Sequence, residues 1–124
     1  MNGRTSRRLL ALFFVIAGVL HFAFTADYIK IMPPWLPWHR ALVIISGAAE
    51  IVGGLGVLRQ RIRRWAGGGL IALCVAVLPA NVQMLLDARA AGAPSLWLTL
   101  LWLRPPLQLL LIAWIWRASR RASA

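Results

Sequence analysis

An all-α fold is what the sequence predicts: a polytopic membrane protein built as an antiparallel four-transmembrane-helix bundle with both termini cytoplasmic. Three observations lead there. Of 124 residues, 60% are hydrophobic and the mean hydropathy is +0.73, too apolar for a small soluble domain to cover with polar surface. The apolar residues fall into four runs, each near the length that crosses about 30 Å of hydrocarbon. The charges are unbalanced, 14 Lys or Arg against 3 Asp or Glu, and the arginines gather between the runs. A pI near 12.0 would suit a nucleic-acid binder, but such a module needs a folded polar face to carry its charge. The clustering fits membrane topology instead, and nucleic acid is not an expected partner.

The chain reads as one domain over residues 1–124, with helices at about 9–26, 41–58, 65–86 and 95–116. Backbone groups in lipid must be satisfied within the segment, so each run should be helical. Short joins make sequential helices antiparallel neighbours. Arg4, Arg7 and Arg8 precede helix one; Arg59, Arg61, Arg63 and Arg64 fill the second join; Arg117, Arg120 and Arg121 follow helix four. The opposite side has Lys30, Arg40 and Arg89. That bias places both termini in the cytoplasm of a bacterial-type inner membrane. Trp35, Trp38 and Trp97 then mark the outer boundary, and Trp65, Trp114 and Trp116 the inner one. A cleaved signal peptide is not expected, because the candidate exit "FAFTAD" lacks the small residue two positions before Ala26. The single cysteine, Cys74, reads as a small packed hydrophobe.

Polar residues inside the runs carry the functional expectation. At 1.5 Å per residue, His21 lies about 8 Å below the outer face, Asn81 about 9 Å, Arg104 about 12 Å and Glu50 about 13 Å, with Gln108 one turn below Arg104. Helical spacing gives each run an inward stripe: Gly18, His21 and Thr25; Ser46, Glu50, Gly53 and Gly54; Cys74, Leu78, Asn81 and Leu85; Leu101, Arg104 and Gln108. A charge at this depth opposes insertion by about 2.5–3.5 kcal/mol, so Glu50 and Arg104 are expected to face inward and pair, with His21 and Asn81 completing the hydrogen bonds. The alternative is an internal ion pair that only sets helix register. Pro79 frees a carbonyl in helix three, and Arg104 before Pro105 and Pro106 predicts a kink or short unwound segment in helix four. The loop "DYIKIMPPWLPWHR" cannot be a long regular helix, and either anchors at the interface or caps the cavity through Trp35 and Trp38. No ligand set for a haem or a metal is visible.

The ordered motifs "GVLHF", "IMPPWLP", "ISGAAEIVGGLG", "RRWAGGGLIAL", "PANVQM" and "RPPLQLLLIAW" resemble the DoxX-like family of small four-helix membrane proteins along nearly the whole chain. Its His-Phe pair, proline-rich outer loop, Ser-Gly-x-x-Glu, Pro-Ala-Asn and Arg-x-Pro-x-Gln fall on His21, on Pro33 and Pro34, on Ser46 with Gly47 and Glu50, on Pro79 with Asn81, and on Arg104 with Pro106 and Gln108. Thr25 stands where a proline is common, and Pro105 where an aliphatic residue is. The resemblance implies a redox-associated inner-membrane subunit and transfers no reaction. What the resemblance implies, set on the buried polar residues, is a quinone-binding subunit that serves a soluble redox enzyme, with His21, Glu50, Asn81, Arg104 and Gln108 as ligand-binding or proton-relay candidates. Two alternatives stand beside it. One is a small proton-coupled transporter exchanging protons at Glu50. The other is a non-catalytic scaffold whose arginines hold anionic lipid or an acidic partner; a homo-oligomer is compatible with each.

Overall fold

The computed structural model describes residues 2–120 apart from Pro33 and Leu36; Pro33 and Arg121, both used above, lie outside the described residues. The described chain is helical: α1 Gly3–Ala23, α2 Thr25–Ile31, α3 His39–Val57, α4 Arg63–Ala90 and α5 Ser95–Arg120. Four of these, α1, α3, α4 and α5, are long and apolar enough to cross a membrane. Helix one is therefore two pieces. It runs from Gly3, breaks at Phe24 (φ −121, ψ 39), and continues as the seven residues of α2. The expected end near residue 26 falls inside α2.

The long helices pack in the order α1–α3–α4–α5, while α1 and α5 meet only narrowly. The ring is thus tight on three sides and open on the fourth. Glycine sets the tightest side. A Cβ on Gly18 would sit 2.5 Å from both the Gly47 carbonyl oxygen and Ile51 Cγ1. The bare backbone lets α1 and α3 touch, as small residues do between membrane helices.

The apolar core lies at the arginine-rich end, where Leu10, Phe14, Val57, Leu70, Cys74, Ile115 and Ala118 cluster. Arg63 closes the α3–α4 turn by donating from Nε to the Val57 carbonyl at 2.7 Å, which satisfies a free helix-end oxygen and offsets its partial charge. The predicted inward stripes hold: Gly18, Gly54, Cys74, Asn81, Leu85 and Leu101 are buried, and the other members are half-buried. Large apolar side chains such as Phe13, Ile45, Val52, Leu86 and Leu107 face outward.

Of the kink or short unwound segment expected at Arg104, the unwound segment is absent: α5 stays helical through Pro105 and Pro106. Two consecutive prolines remove two adjacent donors and leave the rest of a 26-residue helix to hold the axis.

Candidate functional site

The end opposite the apolar core is built differently. His21 at the last turn of α1 and Glu50 in the middle of α3 are brought together by the Gly18–Gly47 contact. His21 Nδ1 lies 3.4 Å from Glu50 Oε2, and each side chain is 15% exposed. The expected Glu50–Arg104 pair does not form; the side chain beside Glu50 is His21. The reason is the helix order. Arg104 is on α5, diagonal to α3, and those two helices make at most marginal contact.

The His21–Glu50 contact is close but poorly directed. His21 Nδ1 is 2.8 Å from the Ala17 carbonyl, so the ring N–H is spent on its own helix. Glu50 Oε2 is consequently buried without a hydrogen-bond donor. Its polar neighbours are spent the same way: the Ser46 hydroxyl donates to Leu42 at 2.6 Å, and the Thr25 hydroxyl to the His21 carbonyl at 2.8 Å. A buried acceptor with no donor costs about 1–3 kcal/mol, and such an orphan is where an exogenous hydrogen bond is most favourable.

Tyr28 completes the site. The break at Phe24 lets α2 carry its ring over His21, stacked at 4.2 Å with an interplanar angle of 19°. The charges of Glu50 and Arg104 both act on Tyr28. Burial pushes its phenol above the ordinary tyrosine value; the Glu50 charge adds to this and Arg104 opposes it. Since Tyr28 is the one tyrosine, tyrosinate absorbance reads it directly. Its midpoint should lie above the usual value of about 10, fall in Glu50→Gln and rise in Arg104→Gln. An unchanged midpoint in both variants would contradict this placement.

On the α5 side, Gln108 lies near Cys74 of α4. Arg104 and Gln108 line a groove of about 410 Å³ with Phe13 and Trp114. This groove lies along the narrow α1–α5 seam. The seam is closed toward the arginine-rich end, where the Trp114 indole donates to the Ser6 hydroxyl at 2.8 Å. Asn81 is 3% exposed on α4, two turns along from Cys74 on the same face, and is not a partner of His21 or Glu50.

The structure thus groups His21 with Glu50 and Gln108 with Cys74, and puts Arg104 at the groove. Tyr28 was missed by the sequence reading, although its spacing of seven from His21 continues the Gly18–His21–Thr25 stripe. Of the two readings of the outer loop, interface anchor or cap, Trp35 and Trp38 do not form the cap, being exposed; Tyr28 takes that place. Among the described residues, no three His, Cys, Asp or Glu side chains come together to hold a metal.

The family described as "Domain of unknown function (DUF8561)" matches residues 10–119, and the chain belongs to it. Neither the curated proteins nor the solved structures compared give a match.

Proposed function

We propose that this member of the DUF8561 family is a multi-pass inner-membrane protein that binds a quinone in the outer half of its bundle and serves a soluble redox enzyme. The observation that carries the reading is the buried Glu50 Oε2 that lacks a donor beside a histidine. When the ring is in its reduced, quinol form, one of its hydroxyls can donate to that oxygen. The Gln108 amide and the Arg104 guanidinium can donate to a ring carbonyl, and the lateral α1–α5 groove offers an apolar path from the bilayer. The bound quinone would supply two-electron, two-proton redox chemistry. The chain's own residues bind and orient it, shield it from water, and take or return a proton at Glu50, with His21 as the next group.

Other features support the setting. Four long apolar helices with large apolar side chains turned outward suit lipid rather than water. The arginine bias supports both termini being cytoplasmic. The resemblance of its motif order to DoxX-like proteins is what suggests a redox association.

Native mass spectrometry from mild detergent, with lipid extraction alongside, tests the reading. Wild type is expected to carry a quinone. Glu50→Gln is expected to lose it, and Gln108→Leu to weaken it about tenfold. Intact wild-type protein released without quinone, and unable to take it up, would remove this function and leave the scaffold. One observation favours a second reading: with Arg104 away from Glu50, the carboxylate is free to exchange protons, as a small proton-coupled transporter requires. Substrate-driven proton movement in liposomes, lost in Glu50→Gln, is its test.

A further inference from the structure

Hydrogens and lone pairs are unevenly shared across the Glu50 site. The polar side chains within one turn of Glu50 or His21 have their hydrogens committed to backbone carbonyls. His21 Nδ1 is 2.8 Å from the Ala17 carbonyl oxygen; a carbonyl only accepts, so Nδ1 carries the ring hydrogen. In the neutral ring Nε2 is then a bare acceptor. The Thr25 hydroxyl donates to the His21 and Phe22 carbonyls at 2.8 and 3.0 Å. The Ser46 hydroxyl donates to the Leu42 and Val43 carbonyls at 2.6 and 3.2 Å. Beside His21 lies Glu50 Oε2, buried and without a donor. What these four residues offer a ligand is lone pairs.

The donors are on α5. Arg104 presents only N–H groups, and the Gln108 amide both donates and accepts; both line the α1–α5 groove. The two redox forms of one ring meet this arrangement differently. A quinone carbonyl only accepts, whereas a quinol hydroxyl donates and accepts. Toward Arg104 and Gln108, the oxygen of either form finds a donor. Toward Glu50 Oε2, a hydroxyl supplies the missing donor. A carbonyl oxygen there sets lone pair against lone pair and leaves the carboxylate unsatisfied.

We infer that the Glu50 site selects the reduced form of its ligand, a ring carrying hydroxyls over the same ring carrying carbonyls. The inference rests on the quinone reading above. Glu50 Oε2 is the selecting atom, and His21 Nε2 is a second acceptor. A hydrogen bond to a buried carboxylate is worth about tenfold or more in binding. Tighter binding of the reduced form raises the midpoint potential of the bound couple, by about 30 mV for a tenfold preference in a two-electron couple.

The test compares three ligands of one ring on the full chain in bilayer discs: a short-chain 1,4-benzoquinone, its quinol held reduced by excess dithionite, and the dimethyl ether of that quinol, which keeps the oxygens and loses both hydroxyl hydrogens. Retained ligand is counted by native mass spectrometry, the midpoint potential of the bound couple is titrated, and empty discs give the background. Wild type is expected to retain the quinol about tenfold over the quinone and over the ether, with a midpoint about 30 mV above that in empty discs. In Glu50→Gln, quinol retention is expected to fall to the level of the quinone or below, and the midpoint shift to vanish. His21→Phe keeps an aromatic face for Tyr28 and should lower the preference in part. Should Glu50→Gln fail to fold, Glu50→Leu removes the same acceptor and is read in the same way. Equal retention of quinol and quinone by wild type, or a preference that survives in Glu50→Gln, overturns the selection while leaving the quinone site standing. Equal retention of quinol and ether overturns it too, because shape then decides. No ligand above the empty-disc background removes the quinone reading and this inference with it.

Discussion

Gly18→Val is expected to abolish the folded bundle. A Cβ at this position would lie 2.5 Å from the Gly47 carbonyl oxygen and 2.5 Å from Ile51 Cγ1. An isoleucine side chain can turn away, but a backbone carbonyl inside α3 cannot. The clash is relieved only by separating α1 from α3, the most extensive contact in the molecule. Overpacking a tight contact costs about 1–3 kcal/mol when side chains can adjust. Here the backbone must move, and with it His21, so both the fold and the site go. Gly69→Ala is the matched control: nothing lies within 4 Å of a Cβ there. Alanine in a helix interior is worth about 0.5–1 kcal/mol over glycine, so that variant should melt slightly higher. Helical circular dichroism with heating, and size-exclusion chromatography in detergent, separate the two. A well-behaved Gly18→Val protein would show that α1 and α3 do not meet as described.

Glu50→Leu is expected to have opposite effects on stability and on binding. A carboxylate held only to stabilise the bundle should lower the melting temperature when removed. Glu50 instead carries a buried oxygen without a donor, and His21 directs its N–H to Ala17. Leucine of similar size removes a desolvated group whose burial costs about 1–3 kcal/mol. Replacing poorly satisfied buried charge with apolar packing is often neutral or stabilising. The variant should therefore melt at or above the wild-type temperature while losing the quinone. Stability set aside at a site in this way is the pattern expected where function needs the group.

Much of this was legible in the sequence because hydropathy and helical spacing are strong, local signals. Hydropathy and length marked out the four long helices, and the spacing of Gly18, Cys74, Asn81 and Leu101 located the inner face. The partner of Glu50 was not legible. Depth put His21, Asn81 and Arg104 at nearly the same level, but depth does not say which helices are neighbours. The α1–α3 glycine contact decided for His21, and the diagonal position of α5 decided against Arg104. Tyr28 was hidden by the prolines that follow it, which made a seven-residue helix read as loop. The prolines of α5 predicted a kink or an unwound turn, and the unwound turn does not occur in a helix long enough to absorb them. Arg7 and Arg63 are buried but looked like their exposed neighbours, because a topology signal does not distinguish a solvated arginine from a packed one.

The most direct test of the Glu50 site is one sample of Glu50→Leu, measured for both bound quinone and melting temperature against wild type. A ligand site predicts that the quinone is lost and the melting temperature is unchanged or higher. A melting temperature lower by several degrees, with quinone content unchanged, would make Glu50 and His21 a structural pair and contradict the proposed function.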